Sequence, residues 1–303
     1  MNKKFKILLY YKYIPLQNPE LIKNQQKELC ERLGIKGRIL ISAEGINGTC
    51  AGEEKEILEY IQATTTIPEF ADIEWKVSWA ESQVFPRLRV VVRDEIVTLG
   101  VKKTGMDVSL QNKADYIQPE ELKELYENNE DFVILDARNL YEAEIGKFKN
   151  ALVPPIDNFR DFPEFVEKNL APYKDKNVVT YCTGGVRCEK ASAFLREKGF
   201  THVRQLHGGV HDYAEKTGGK YFEGELFVFD KRLHVPVNTI DPTILTTCKF
   251  CEKPVTRYVD CIVPMCDEFL ICCESCEKLN ILACSLACEQ RFSKISPVNF
   301  KSA

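Results

Sequence analysis

The sequence predicts a multi-domain α/β protein that carries a small cysteine-rich module towards its C-terminal end. Three observations support this class. The first part of the chain orders its predicted elements as βαββαβ, and the middle part alternates short strands with helices. Nine of the 13 cysteines fall between Cys248 and Cys288. A length of 303 residues is about two domains' worth of chain, since single domains usually run to roughly 100–150 residues.

The composition is that of an ordinary soluble globular protein, with 44% apolar and 28% charged residues. A formal net charge of -4 argues against a broadly basic nucleic-acid coat protein, although it allows a local basic surface. No apolar run approaches the roughly 18–20 residues that span a bilayer, and no small-residue cleavage site follows the first apolar stretch. We therefore expect a cytoplasmic protein without a membrane partner.

The first predicted domain covers residues 1–112. Its first helix has a capping Asn18, Pro19 in the first turn and a terminating Gly34. The remaining elements follow from apolar periodicity and from the tight-turn residues at 45–48. The predicted strands are 5–14, 37–42, a strand after the turn, 73–80 and 88–99, and the second helix is 53–63. This βαββαβ order with an extra edge strand predicts a ferredoxin-like sandwich.

The second predicted domain covers residues 113–221, where the pattern of predicted secondary-structure elements changes. Predicted helices at 119–126, 162–170 and 186–198 alternate with β-rich runs at 132–135, 178–181 and 203–206. Such alternation predicts a parallel sheet with helices on both faces. Ligand sites in these folds lie at the carboxyl ends of strands. Two segments fall there, Asp136–Arg138 and the run that begins at Cys182.

The run from Cys182 has the features of a reactive-thiol loop. A cysteine between a strand and a helix faces backbone N–H groups and the positive end of the helix dipole, which lower a thiol pKa. Gly184 and Gly185 allow an anion-binding nest, and Arg187 adds a fixed positive charge. The alternative is a buried structural thiol beside a glycine-rich turn. The predicted active-site loop also contains Thr183 and Val186.

The middle of the chain resembles the rhodanese family. The resemblance is carried by residues 134–138 with Tyr141 and Glu142, by the loop from Cys182, and by the closing run 206–210. It implies a rhodanese-like parallel-sheet domain whose loop cysteine, here Cys182, carries sulfur as a persulfide. The span from Cys182 to Arg187 is six residues, which is typical of sulfurtransferases rather than of the related phosphatases.

Three residues near the loop receive supporting roles. We interpret Asp136 and Arg138 as a pair that holds the fold together. Cys188 directly follows Arg187. It is either a resolving thiol for an oxidised or persulfidated Cys182 or a small helix residue. Two other cysteines, Cys30 on the core side of a helix and Cys50 in a strand, are interpreted as packing residues.

The cysteine-rich module is predicted at 248–303, after a linker at 222–247. Eight thiols in four close pairs are enough for two structural Cys₄ zinc sites without an open position. Cys273 is preferred to its neighbour Cys272 because it has the better spacing to Cys276, whereas the pairing stays open between a sequential and an interleaved arrangement. The alternative is a set of incidental thiols or disulfides. The predicted ligands are Cys248, Cys251, Cys261, Cys266, Cys273, Cys276, Cys284 and Cys288.

A basic patch of the first domain is the candidate RNA surface. Three arginines alternate along one predicted strand, so their charges can project from one face. The alternative is an edge strand kept charged against aggregation. The predicted RNA-binding residues are Arg87, Arg89, Arg93, Lys102 and Lys103.

The whole layout resembles the bacterial rhodanese-related family of oxygen-dependent tRNA uridine hydroxylases. This resemblance is carried by residues 42–49, 182–190 and 227–230 together with the cysteine-rich tail. It implies an oxidoreductase that converts the wobble uridine to 5-hydroxyuridine, with molecular oxygen as co-substrate and the anticodon region of tRNA as partner. No organic cofactor is evident in the sequence, and the reductant and oligomeric state stay open.

Two other functions remain open from the residues alone. A plain rhodanese sulfurtransferase would carry sulfur as a Cys182 persulfide, but it would leave the first domain and the tail unexplained. A non-enzymatic module would use the zinc tail to bind RNA or protein, with an unreactive loop.

Overall fold

The computed structural model describes residues 4–101, 109–266 and 268–295. The first part of the chain forms one five-stranded sheet in the order β4-β1-β3-β2-β5, in which β5 is parallel to β2 and the other neighbours are antiparallel. The predicted βαββαβ order with an extra edge strand is confirmed. The elements are β1 (Phe5–Tyr13), α1 (Pro19–Arg32), β2 (Lys36–Ser42), β3 (Gly45–Glu53), α2 (Glu54–Thr65), β4 (Lys76–Ala80) and β5 (Leu88–Val92).

The first helix begins and ends where its sequence signals lie. The Asn18 side chain accepts a hydrogen bond from the Leu21 N–H at 3.0 Å, and Pro19 is the first helical residue. Gly34 has a φ of +66°, the left-handed conformation that follows many helix ends. Cys30 and Cys50 are both fully buried in the core between the helices and the sheet.

Helices α1 and α2, which belong to the same part of the chain as this sheet, both lie on one of its faces. Leu8 and Tyr10 of β1 point into the core beneath α1 and α2. Since successive side chains of a strand point to opposite faces, Leu9, Tyr11 and Tyr13 lie on the helix-free face. Part of that face packs against the second domain, and this packing places the first domain beside the cysteine loop.

The last predicted strand of this domain is shorter than expected. The sequence predicts a strand over 88–99, but β5 ends at Val92. The carboxylate of Glu95 accepts hydrogen bonds from the N–H groups of Leu99 and Gly100 at 3.1 and 3.2 Å, which turns the chain. A side-chain acceptor that binds local backbone donors competes with strand pairing, and periodicity alone does not reveal it.

The middle of the chain forms a four-stranded parallel sheet in the order β6-β10-β9-β7. The predicted parallel α/β architecture is confirmed. Its elements are β6 (Asp115–Ile117), α3 (Pro119–Glu127), β7 (Val133–Asp136), α4 (Leu140–Ile145), β8 (Gly146–Phe148), α5 (Phe162–Asn169), β9 (Asn177–Tyr181), α6 (Val186–Glu197), β10 (His202–Leu206) and α7 (Gly209–Thr217).

The segment 222–247, expected to be a linker, is packed onto the second domain. Strand β11 (Phe222–Gly224) pairs with β8, and β12 (Leu226–Phe227) pairs with β13 (His234–Val235). The buried Asn238 side chain donates to the Phe222 carbonyl at 2.9 Å. Phe222 has no exposed surface, so this segment closes one side of the domain core.

The cysteine-rich tail has little regular structure. A short hairpin joins β14 (Tyr258–Asp260) to β15 (Phe269–Ile271), and the helices α8 (Glu274–Glu277) and α9 (Leu286–Ile295) follow. Two small apolar clusters each surround a group of cysteines. Throughout the described ranges, no helix has both the length and the hydrophobicity that crossing a membrane requires.

Candidate active site and cysteine clusters

Cys182 lies where the sequence predicts it, directly after β9 and before α6. The Gly185 N–H donates a hydrogen bond to its Sγ atom at 3.1 Å. Gly185 has a φ of +105°, a conformation that only glycine adopts without strain, and this places its N–H towards the sulfur. Cys182 is only 1% exposed. The loop therefore presents its backbone donors to a sulfur that water barely reaches.

The surroundings of Cys182 favour its thiolate. Burial alone would raise the pKa of this thiol. The hydrogen bond from the Cys188 thiol, the charge of Arg187 and the N–H groups of Arg187 and Gly185 outweigh burial and hold the pKa well below the ordinary thiol value. Burial and the hydrogen bond to Cys182 raise the pKa of Cys188, which keeps its proton. The pair is therefore one thiolate and one neutral thiol that donates to it.

Arg187 is held by a carboxylate that the sequence analysis did not select. Its two terminal nitrogens donate to the two carboxylate oxygens of Glu142 at 2.5 and 2.8 Å, and one of them reaches Thr183 Oγ1 at 3.4 Å. Burial alone would raise the pKa of Glu142, but the charge of Arg187 and these hydrogen bonds keep it below its ordinary value. Little in the sequence singles out Glu142 as a site residue, because the capping box that it closes with Asn139 is a sufficient reason for a glutamate at this position.

Asp136 and Arg138 form a second buried ion pair beneath the loop. Arg138 Nε donates to Asp136 Oδ1 at 2.9 Å, and its Nη2 donates to Oδ2 and to the Gly146 carbonyl, each at 2.7 Å. The Tyr181 hydroxyl also donates to Asp136, at 2.5 Å. These contacts join β7, β8 and β9, and none of them involves the sulfur of Cys182. We therefore keep the prediction that this pair holds the fold together.

Backbone N–H groups at the start of α7 donate hydrogen bonds to the carbonyl groups of the cysteine loop. The Val210 N–H donates to the Cys182 carbonyl at 3.0 Å, and the His211 N–H donates to the Thr183 carbonyl at 3.1 Å. Gly209 has a φ of +66°, and a Cβ atom there would lie 2.4 Å from the Cys182 carbonyl oxygen. The glycine in the closing run of the sequence therefore permits a close backbone contact with the loop.

The first domain covers the loop from the opposite side. A Cβ atom on Gly184 would lie 2.7 Å from Leu9 Cδ2, and one on Gly185 would lie 2.8 Å from the Tyr11 hydroxyl. The Tyr13 hydroxyl donates to the Val186 carbonyl at 3.1 Å. Three side chains of β1 thus contact the loop, which explains why Cys182 is buried.

Two charged residues of α6 bind the first domain. Lys190 Nζ donates to Glu44 Oε1 at 2.7 Å, to Glu95 Oε2 at 2.6 Å and to the Val97 carbonyl at 3.0 Å. Glu189 accepts a hydrogen bond from the Tyr11 hydroxyl at 3.1 Å. The structure therefore joins two motifs that are remote in sequence, 42–49 and 182–190.

The eight selected tail cysteines form two groups of four, and within each group all the sulfurs lie within 4.8 Å of one another. The pairing is interleaved, because each group combines an early pair with a late one. The sulfurs of Cys251 and Cys273 lie 3.8 Å apart, and three sulfur pairs of the other group lie 3.5 to 3.7 Å apart. Four sulfurs at a Zn–S distance of about 2.3 Å would be about 3.8 Å apart, so both groups fit a tetrahedral zinc ion. The groups are Cys248, Cys251, Cys273 and Cys276, and Cys261, Cys266, Cys284 and Cys288.

The basic patch lies on the edge strand of the first sheet. Arg89 is within β5, while Arg87 and Arg93 flank it and continue its backbone pairing with β2. All three side chains are exposed. Lys102 and Lys103, which the sequence analysis added to this patch, lie outside the described residues.

Comparisons with known sequences cover nearly the whole chain. The family model of the UPF0176 acylphosphatase like domain matches residues 5–96, that of the rhodanese-like domain matches 118–216, and that of the rhodanase C-terminal region matches 223–289.

Curated relatives at about 40% identity carry one description. A tRNA uridine(34) hydroxylase of Onion yellows phytoplasma (strain OY-M) is 40% identical over 289 residues, 95% of this chain and 93% of that relative. One of Staphylococcus haemolyticus (strain JCSC1435) is 41% identical over 287 residues, 94% of this chain and 88% of that relative. Among solved structures, a rhodanese-like domain protein from Staphylococcus aureus is 26% identical with a TM-score of 0.28, over 33% of this chain and 90% of that one.

Proposed function

This chain belongs to the tRNA uridine(34) hydroxylase family, and from that premise we propose that it converts uridine 34 of tRNA to 5-hydroxyuridine at a site built around Cys182. The observation that carries the assignment of the site is the hydrogen-bonded loop around a cysteine whose pKa is lowered. Uridine 34 is the wobble nucleotide, so the proposal places the anticodon region against this loop.

In this proposal Cys182 supplies the reacting sulfur as a thiolate. The Gly185 N–H and the guanidinium of Arg187 stabilise negative charge on that sulfur, in the thiolate itself and in a persulfide or oxidised form of it. Glu142 is a positioning residue, because its two hydrogen bonds orient Arg187. Cys188 keeps a donor aimed at Cys182.

The hydroxylation also needs an oxidant. With molecular oxygen as co-substrate, one oxygen atom enters the uracil ring at C5 and the other leaves as water, and a reductant supplies the electrons that this balance requires. Cysteines and backbone amides do not activate molecular oxygen by themselves. Cys182 therefore supplies the reacting sulfur, as a thiolate or as its persulfide or oxidised form, and the reductant is a separate component to be identified.

Zinc completes the proposal for the tail. The two interleaved groups have the donor set and spacing of structural Cys₄ sites. When bound, two zinc ions would cross-link a segment whose apolar clusters are small. The interleaving means that one ion would join the residues before β14 to those just after β15, whereas the other would join the turn between β14 and β15 to Cys284 and Cys288.

Access to Cys182 requires movement. A sulfur on a residue that is 1% exposed cannot contact a nucleobase. The covering residues Leu9 and Tyr11 belong to the first domain, and the Lys190 ion pairs connect that domain to α6. We therefore infer that the first domain and the loop separate slightly when tRNA binds.

The test is the modified-nucleoside profile of tRNA. A strain lacking this protein should lose 5-hydroxyuridine and its derivatives in mass spectrometry of its tRNA. The parent protein should restore them, whereas Cys182→Ala, expressed at equal level and folded, should not. Unchanged nucleoside levels in the deletion strain would contradict the assignment.

Sulfur transfer is the competing function, favoured by the six-residue loop. It predicts that the purified protein, supplied with a thiol acceptor for the sulfur, releases sulfite from thiosulfate rapidly through a Cys182 persulfide, with or without tRNA. Rapid turnover of thiosulfate by a protein that leaves tRNA nucleosides unchanged would favour sulfur transfer over hydroxylation.

A further inference from the structure

The helix-free face of the first sheet carries a continuous row of side chains that begins at the cysteine loop. Leu9, which contacts Gly184, is paired across the sheet with Lys76 on one side and with Thr49 on the other. Thr49 is paired with Arg38, and Arg38 with Arg89. Directly opposed residues on neighbouring strands project from the same face, so these side chains form one row.

A second row runs beside the first. Tyr11, which contacts Gly185, is paired with Asn47, Asn47 with Leu40, and Leu40 with Val91. These four side chains are partly exposed. The distance from β1 to β5 is three strand spacings, about 14 Å. The face therefore carries a strip of side chains with a tyrosine at the loop end and arginines at the far end, and the Asn47 amide within it donates to the Ile96 carbonyl at 3.0 Å.

Among the residues that the structure describes, the arginines at the far end have no acidic partners. Arg38, Arg87, Arg89 and Arg93 are exposed, and across the described ranges none of them forms an ion pair. Burial and the charges of Arg89 and Arg93 lower the pKa of Arg38, so these like charges repel one another. Like charges on directly opposed strand positions destabilise a sheet. An anionic ligand would relieve this repulsion.

The helix-free face fits single-stranded RNA. Phosphates bind arginines through charge-assisted hydrogen bonds. Unstacked bases of RNA loops stack on aromatic side chains exposed on sheet faces, and RNA-binding domains with a four-stranded sheet bind about two or three bases in this way. A protein ligand with acidic side chains would satisfy the arginines but would not explain why the strip leads to the cysteine loop.

We propose that this helix-free face is the binding track for the anticodon loop of tRNA, with phosphates on Arg38 and Arg89 and the target uridine directed along Tyr11 to the Gly184–Gly185 edge of the loop. The proposal rests on the proposed hydroxylase function and adds the route by which its substrate is held. Arg38 extends the predicted patch of Arg87, Arg89 and Arg93, and the strand register places it beside them.

The first experiment measures binding of a transcribed tRNA with uridine at position 34 to the full-length protein. Arg38→Ala/Arg89→Ala should weaken binding by on the order of tenfold or more, and the slope of log affinity against log salt should become shallower by about 0.7 for each arginine removed. The matched control is Arg32→Ala/Lys55→Ala, which removes two exposed cations from α1 and α2 on the other side of the sheet. It should bind tRNA like the parent.

A stability measurement distinguishes this role from a structural one. Removing one of several repelling arginines should leave the unfolding midpoint of Arg89→Ala at or above that of the parent. A structural role would instead lower it. Should the double variant fold poorly, Arg89→Gln alone should still show the weaker binding and the shallower salt slope.

The second experiment tests the direction of the track. The same tRNA carrying 4-thiouridine at position 34 should crosslink to Tyr11 or to residues 182–187 on irradiation. Two results would overturn the track if the parent protein still forms 5-hydroxyuridine. One is an affinity and a salt slope of Arg38→Ala/Arg89→Ala that equal those of the parent, and the other is crosslinks confined to the cysteine-rich tail. A parent protein that never modifies tRNA would overturn the hydroxylase function itself.

Discussion

The Nζ atom of Lys190 lies 2.6 Å from the Oε2 atom of Glu95, and this buried ion pair joins the helix after the cysteine loop to the first domain. Lys190 also binds Glu44, so one ammonium group is held between two carboxylates. Together with the contacts of Leu9 and Tyr11, it keeps the loop covered.

Lys190→Met should destabilise the protein and expose Cys182. Removing one partner of a buried ion pair leaves an unpaired buried charge, which costs about 3 kcal/mol or more. We expect a correspondingly smaller free energy of unfolding in urea and a several-fold faster alkylation of Cys182. The matched control, Lys168→Met, removes a lysine from an exposed pair with Glu164 and should change neither quantity. Equal alkylation rates in parent and Lys190→Met would show that the ion pair does not control access.

The alkylation of Cys182 should persist at pH values where ordinary thiols are protonated. The thiolate is the reactive form, and its lowered pKa moves the midpoint of the rate profile below that of an ordinary thiol. Arg187→Met removes a stabilising charge and should shift this midpoint to higher pH. Since that variant leaves Glu142 unpaired, Arg187→Met/Glu142→Gln provides a folded alternative. Mass spectrometry of the Cys182 peptide measures the rate, and a midpoint near that of free cysteine would refute the thiolate assignment.

Cys188 can be tested with a pair of substitutions. Cys188→Ser keeps a hydrogen-bond donor in the first turn of α6, whereas Cys188→Ala removes it. If Cys188 acts as a donor to Cys182, only the alanine variant should raise the pKa of Cys182 and lower hydroxylation. Loss of hydroxylation in both variants, with the alkylation midpoint unchanged in Cys188→Ser, would assign thiol chemistry to Cys188 instead.

The protein should contain two zinc ions per chain. Cys251→Ser should lose one ion, as should Cys266→Ser, because each removes a ligand of a different group. Cys272→Ala is the matched control, since Cys272 is buried outside both groups. It should keep both ions. Elemental analysis gives the metal content, and limited proteolysis of residues 248–288 should accelerate on treatment with a chelator. Full metal content in Cys251→Ser would exclude the first site.

Local features of this sequence predict much of the architecture. Capping residues, glycines and apolar periodicity predict α1, the parallel sheet and the βαββαβ order, because they act over a few neighbouring residues. The position of Cys182 between a strand and a helix is likewise predicted from a few neighbouring residues. The predicted end of β5 at residue 99 was wrong, since the strand ends at Val92. The Glu95 carboxylate instead binds the backbone N–H groups four and five residues further on.

The chemical groups available to this protein can be read from its residues alone: a loop cysteine with glycines and an arginine, eight thiols in close pairs, and arginines on an edge strand. Which of these groups meet depends on the folded arrangement of the chain. This arrangement interleaved the cysteine pairs, placed Glu142 on Arg187, and aligned Arg38 with Arg89 in a row that leads to Leu9. The physical reason is that pairing across strands and between domains depends on register and packing over tens of residues, which local patterns do not encode.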